Sequence, residues 1–199
     1  MERLKIDDRI DLYGRMLIAL ETLESCPEFT GLIPEVRSNM VFAAKDAKGI
    51  DDVLAIDGRI TVVEGKPRAA GRPRFGASSH MARLLLEVRK KDPAVRAGID
   101  FANTPQLTAW LEDYCQKQGW IFAKIDRSRE PEEVRQTEGA SMPWKVAEAI
   151  RAAEGRVPKI LYENGAVGKE PVSVILGEEP MSIARELCVI AREYKGPVR

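Results

Sequence analysis

The stretch RPRFGASSH, from Arg72 to His80, holds the chain's only histidine, with two hydroxyl residues just before it. Gly76 and the arginines at 72 and 74 precede them, and the apolar run MARLLLEV follows directly. Ser78 or Ser79 can cap a helix whose first-turn amides then face an anion, an arrangement that the helix dipole favours. Gly76 and Ala77 leave room for a ligand to approach the backbone closely. Arg72, Arg74 and Arg59 of Asp57-Gly58-Arg59 offer rigid guanidinium forks suited to phosphate oxygens. The chemistry such a set supports is recognition of a phosphate or diphosphate, with Arg59, Arg74, Ser78, Ser79 and His80 as its members. The P-loop pattern GxxxxGK[ST] is absent, so this is a different kind of phosphate cradle. A Ser–His–acid hydrolase is disfavoured, because adjacent Ser79 and His80 on one helix point apart and no G-x-S-x-G elbow exists.

Four further oxygen donors, Glu35, Asn39, Asp126 and Glu170, form the pool from which a magnesium shell could be drawn. Lys169 sits in the polar loop GAVGKEP, Gly165 to Pro171, which suits a segment that closes over a ligand or a plain surface turn. At this level phosphoryl transfer, diphosphate departure and phosphate sensing all remain open.

The elements that must position these groups follow from periodicity and turn chemistry. Residues 7–24 carry Ile10, Tyr13, Leu17, Leu20 and Leu23 at helical spacing, ending before Pro27. SNMVFAA reads as a buried strand, and GRITVVEGKPRAA as two strands about a turn at Glu64–Gly65. Gly71 to Ala77 reads as a loop, with a helix beyond it packed through Met81, Leu84, Leu85 and Val88. A helix follows the cap and proline of TPQL, ends near Gly119, and feeds the strand WIFAKID, which delivers Asp126 and Arg127. SREPEEV starts a short helix, PWKVAEAIRAAEG a longer one, PKILYE and VSVILG are strands, and PMSIARELCVIAREY is a final helix. The antiparallel hairpin makes the expected sheet mixed, with helices on both faces.

A chain of 199 residues fits one domain, 1–199, whose core needs no disulfide or structural metal. Lys plus Arg and Asp plus Glu both number 31, a balance that argues against bulk nucleic-acid binding. Cys26, Cys115 and Cys188 are scattered and form no metal pattern, which suits a reducing cytoplasm. The charged N-terminus leads into no apolar run, so neither a secretory signal nor a membrane anchor is expected. A homodimer is the expected assembly.

IPEVRSNMVFA, DGRI, PRFGASSHMAR, EGASMPWKVAEAI, PKILYENGAVGKEP and VILG, in that order, resemble the ThiN family, over roughly residues 10 to 192. The resemblance implies a three-layer α/β/α fold with a mixed central sheet, similar to the class II aldolase (AraD-like) fold. It implies thiamine-phosphate synthase activity: 4-amino-2-methyl-5-hydroxymethylpyrimidine diphosphate joins 4-methyl-5-(2-phosphoethyl)thiazole, giving thiamine monophosphate and diphosphate. The family's functional arginine falls on Arg59 and its histidine on His80, and its PEVxSN, RFGASSH and GKEP elements match residues 34–39, 74–80 and 168–171. Mg²⁺ is the expected cofactor. No kinase or helix-turn-helix segment accompanies the motifs, which leaves two readings: the synthase itself, or a thiamine-phosphate-binding regulatory module.

Overall fold

The computed structural model describes residues 2–164 and 170–197, with only the backbone path for residues 2–7. The expected Lys169, with most of its loop, lies outside the described residues. Its elements run α1 (Glu2–Glu24), β1 (Met40–Ala43), β2 (Val53–Ile56), β3 (Ile60–Val63), β4 (Lys66–Ala69), β5 (Pro73–Phe75) and α2 (Ser79–Lys91). Then follow β6 (Ala97–Ala102), α3 (Pro105–Gln118), β7 (Phe122–Ile125), α4 (Glu132–Gln136), α5 (Ser141–Ala152), β8 (Ile160–Glu163), β9 (Val172–Gly177) and α6 (Pro180–Glu193).

Seven strands form one sheet in the order β5-β2-β1-β6-β9-β8-β7. Every neighbour pair is antiparallel except β7 and β8, so the sheet is mixed. The central strands β1 and β2, MVFA and VLAI, are buried along their whole length, as strands covered on both faces must be. One face carries α1, α3 and α6, packed through Met16, Leu23, Leu111, Ile183 and Leu187 against Phe42, Ile99 and Phe101. The other carries α2 and α5, packed through Leu85, Val88, Val146 and Ala149 against Val41, Ala55 and Val174. The result is a three-layer α/β/α fold.

Several local expectations are met for the anticipated reasons. Thr104 accepts the Leu107 N–H at 3.1 Å, Pro105 takes the first helical position, and Gly119 ends α3 at φ 68°. The α2 core face is Met81, Leu84, Leu85 and Val88.

Other expectations are corrected. The 58–70 hairpin, β3–β4, forms its own two-stranded sheet, and the isolated Ser38–Ile60 bridge ties it to the segment that leads into β1. The mixed character comes from β7–β8 instead. The presumed loop 71–77 contains β5, which pairs with β2 through Leu54–Phe75 and Ile56–Pro73. Strands β2 and β6 were not anticipated. Helix α1 has two apolar stripes, and the buried one is Leu12, Met16, Ala19, Leu20 and Leu23, whereas Ile10 and Leu17 are exposed. Tertiary packing selects the stripe that α6 can cover.

All three cysteines are free and buried. Burial pushes the Cys115 thiol up to about 12 and raises that of Cys188 as well, with Cys26 beside it adding to the effect. Thiolate is the reactive form, so iodoacetamide at neutral pH should label neither Cys115 nor Cys188 in the folded protein, nor reach the fully buried Cys26, and should label all three in denaturant. Mass spectrometry checks this, and rapid labelling of Cys115 or Cys188 in the native state would refute the packing described. Among the described residues, no helix is long and apolar enough to cross a membrane.

Candidate active site

Antiparallel pairing gathers the C-terminal ends of β2, β6 and β8 and the N-terminal ends of β1 and β9 at one edge of the sheet. The start of α2 lies over the same edge. Two contiguous hollows open there, of about 490 and 340 Å³, sharing Val36, Asn39, Arg59, Ser78 and His80.

The first hollow adds Arg37, Gly58, Ala77 and Ser79. It is lined by two arginines and no carboxylate. Its walls are turns that cross-link each other. Arg59 N–H closes a β-turn onto the Ile56 carbonyl at 3.2 Å, with Gly58 inside it at φ 72°. A Cβ on Gly58 would lie 2.9 Å from Ala70 Cβ, so glycine is required there on both counts. Arg37 N–H closes the neighbouring turn onto Pro34 at 2.8 Å. Arg59 Nη1 donates to the Val36 carbonyl, and Arg37 Nη1 to the Gly58 carbonyl at 3.3 Å. Arg37 and Arg59 themselves hold φ of 69° and 70°. A left-handed conformation costs a residue with a side chain about 1–2 kcal/mol. Strain of this kind concentrates where function fixes a side chain, and here both strained arginines line one hollow.

Ser78 occupies the N-cap position of α2 with extended backbone, yet its side chain makes no capping hydrogen bond. The first-turn N–H groups are therefore not consumed by a serine cap at the mouth of the hollow. Gly76, at φ 74°, sets the approach to this turn, and a Cβ there would meet Asp51 Oδ1 at 2.8 Å.

The second hollow adds Met81, Asp100, Lys145, Glu163, Glu170 and Val172. Three carboxylates face the cations Lys145 and Arg59, with Val36, Met81 and Val172 as an apolar wall. Burial is the main reason that the Asp100 carboxyl is pushed up to about 7, with the negative Glu170 adding to it. The Asn39 N–H and the charge of Arg59 oppose that shift. Part of Asp100 remains accessible, but protein surrounds the carboxyl group itself closely enough for desolvation to dominate. Beside it Glu163 accepts from Lys145 Nζ at 2.7 and 2.8 Å and pairs with Arg127, which is also bound to Glu130 at 2.7 Å.

Of the residues expected from sequence, the structure brings together Arg59, His80, Ser78, Ser79, Ala77, Asn39 and Glu170, with Gly76 in the adjoining turn. Two of these are committed to the backbone. Asn39 donates through Nδ2 to the Ile56 carbonyl and accepts the Ile56 N–H through Oδ1, at 3.1 and 3.0 Å. Glu170 accepts the N–H groups of Glu35 and Val36 at 3.2 and 2.7 Å, which pins the Pro34–Arg37 turn. Glu35 itself is exposed and lines neither hollow. Arg72 is exposed and outside both hollows, and Arg74 is turned to Asp57 at 3.1 Å, whose carboxyl it holds below the usual range. Asp126 accepts from the Ser128 N–H at 2.9 Å and also from its hydroxyl and from Asn164, and lies outside both hollows. Of the four donors expected to form a magnesium shell, Glu35 and Asp126 thus lie apart from the others, and among the described residues no three His, Cys, Asp or Glu side chains are grouped so as to hold a metal ion. Among the described residues, this site offers no protein-built magnesium cage.

Sequence reasoning missed Arg37, Asp100, Lys145 and Glu163. The signal for Asp100 was present: an acid in the middle of the otherwise apolar AGIDFA. Arg37 carries no comparable mark.

The sequence pattern described as "Thiamine-phosphate synthase ThiN" matches residues 15–188. The "Thiamine-phosphate synthase ThiN" of Methanothermobacter thermautotrophicus is 41% identical over 177 residues, 89% of this chain and 90% of that protein. The "Bifunctional thiamine biosynthesis protein ThiDN" of Methanocaldococcus jannaschii is 32% identical over 164 residues, 82% of this chain but 37% of that longer protein. The crystal structure of a C-terminal domain of phosphomethylpyrimidine kinase superposes with a TM-score of 0.86 at 31% identity, covering 92% of this chain and 99% of that one. With the pattern spanning most of its length, this chain belongs to the ThiN thiamine-phosphate synthase family.

Proposed function

We propose that this chain joins 4-amino-2-methyl-5-hydroxymethylpyrimidine diphosphate to 4-methyl-5-(2-phosphoethyl)thiazole, releasing diphosphate and thiamine monophosphate. Family membership supports the activity. The observation that carries the choice of substrates is the opposed character of the two contiguous hollows, one cationic and the other rich in carboxylate with an apolar wall.

The reaction breaks the bond between the pyrimidine methylene and the diphosphate oxygen, and the electron pair leaves with diphosphate. Negative charge grows on that oxygen while positive charge grows on the methylene. Arg59, Arg37 and the start of α2 face the first charge, and donors fixed in advance stabilise it without reorganising. The carboxylates of the second hollow face the other charge. The thiazole nitrogen then supplies its lone pair to the methylene carbon, and the new C–N bond leaves the thiazolium positive. No proton changes hands on carbon or nitrogen, so a strong base is unnecessary. His80 lines both hollows, where it can donate a hydrogen bond to a phosphate oxygen. Mg²⁺ enters this proposal only as a companion of the diphosphate, where it would offset part of the negative charge that grows on the leaving group.

Purified protein given both phosphorylated heterocycles and Mg²⁺ should produce thiamine monophosphate and diphosphate in equal amounts. Tight thiamine monophosphate binding without turnover would make the chain a thiamine-phosphate-binding module instead. Absence of both would overturn the proposal.

A further inference from the structure

Asp100 is an acid of the second hollow that, among the described residues, neither an ion pair nor, as for Glu170, the pinning of a neighbouring turn accounts for. It lies on β6, where Ala97, Ile99 and Phe101 face the α1/α6 layer, so Asp100 points to the α2/α5 side where the hollow opens. Its Oδ1 accepts the N–H of Asn39, which fixes the carboxyl at the start of β1. A carboxyl group offers about four lone-pair sites, and the N–H groups of Asn39 and of Asp100 itself occupy only part of them, which leaves capacity for a ligand contact. Charged and titratable groups around it come from every wall: Arg59 from the turn after β2, Glu170 before β9, and Lys145, Glu163 and His80 lining the same cavity.

A 4-aminopyrimidine presents two polar groups side by side, the exocyclic N–H donor and the adjacent ring nitrogen. A carboxyl group that shares one proton with the ring matches that edge with two parallel hydrogen bonds, wherever the proton resides. We infer that Asp100 reads this amidine edge and so orients the pyrimidine, with its methylene toward the cationic hollow. The inference rests on the substrate assignment proposed above and goes beyond it by naming the group that selects the heterocycle. The upward displacement of the Asp100 carboxyl to about 7 agrees with this role, since a carboxyl with a proton at neutral pH offers both a donor and an acceptor.

The test is a thermodynamic cycle between protein and ligand. Calorimetric dissociation constants are measured, without thiazole phosphate, for the pyrimidine diphosphate and for its analogue lacking the 4-amino group. The parent protein should bind the analogue at least about tenfold more weakly. Asp100→Leu should bind the two ligands alike, because the partner of the missing group has gone. Its affinity for inorganic diphosphate should not fall, which a general collapse of the pocket would cause. Asp100→Leu leaves the Asn39 N–H unpaired. Asp100→Asn keeps that acceptor and should retain part of the discrimination, because a carboxamide also offers a donor and an acceptor.

Equal binding of both ligands by the parent overturns the inference without any variant. Undiminished discrimination in Asp100→Leu overturns it too, as does a parallel loss for inorganic diphosphate in Asp100→Leu. Should the leucine variant fail to fold, discrimination in Asp100→Asn as large as the parent's decides against it. Failure of the parent to bind either pyrimidine, or to turn the natural pair over, would sink the substrate assignment rather than the role of Asp100.

Discussion

Arg59→Ala should lower turnover at saturating substrate about a hundredfold to a thousandfold, the usual cost of losing one fixed electrostatic donor, about 2.7–4 kcal/mol. Arg59 lines both hollows, and its value is greatest when the departing diphosphate carries most charge. Apparent substrate affinity should change less than kcat, as expected for an interaction made mainly in the transition state. Arg59→Lys keeps the charge but loses the planar fork, so it should fall between the two. Arg59→Gly separates catalysis from folding. The backbone at this position has φ 70°, which glycine adopts without the cost of a Cβ. The lost contacts are one hydrogen bond from an exposed side chain to the Val36 carbonyl and the charge that Arg59 sets beside Asp100. Arg59→Gly should therefore be as inactive as Arg59→Ala yet melt no lower, with a gain of up to about 1–2 kcal/mol if the strain is fully released. Steady-state kinetics and thermal melts of the three variants check this. Near-parental turnover in Arg59→Ala, or a melting temperature in Arg59→Gly well below the parent's, would make the arginine structural.

The contrast between Arg59 and Asn39 shows what a sequence can and cannot convey about such a site. DGRI signals a turn that projects a guanidinium, and the structure puts Arg59 where that turn aims. Asn39 and Glu170 were read as oxygen donors for a ligand, but their partners are backbone amides and carbonyls. Every residue has those groups, so composition cannot reveal the pairing. Arg74 misled for a related reason: β5 turns it toward Asp57, a neighbour set by strand pairing 17 residues away in sequence. Helices were legible because caps and 3.6-residue periods are local, as at Thr104 and Gly119. Strand β6 was not, since AGIDFA has glycine, an acid and no alternation that survives burial on both faces. The same acid is the one that matters in the second hollow.

Glu163→Leu should be the most destabilising single change at the site. Glu163 ends β8 with a side chain 15% exposed, and it balances Lys145 and Arg127, whose side chains are 7% and 9% exposed. Glu130, 1% exposed, balances Arg127 from the other side. The four charges sum to zero inside protein, where each ion was stripped of water and is held only by its partners. Removing Glu163 takes from Lys145 a carboxylate at 2.7 Å and from Arg127 one of its two carboxylates, leaving Glu130 to face both cations. Breaking a buried pair from one side typically costs about 3–5 kcal/mol, mostly for the charge left behind. In a protein of this size each kcal/mol moves the melting temperature by about 2–4 °C, so a fall of roughly 6–20 °C is expected. Replacing Lys145 by Met in the same chain removes the cation that Glu163 had balanced, and the double variant should melt higher than Glu163→Leu alone. That recovery distinguishes an uncompensated charge from a simple packing defect, which a second substitution would deepen. A melting temperature unchanged in Glu163→Leu, or a double variant that loses the sum of the two single losses, would show that these charges are solvated rather than buried against one another.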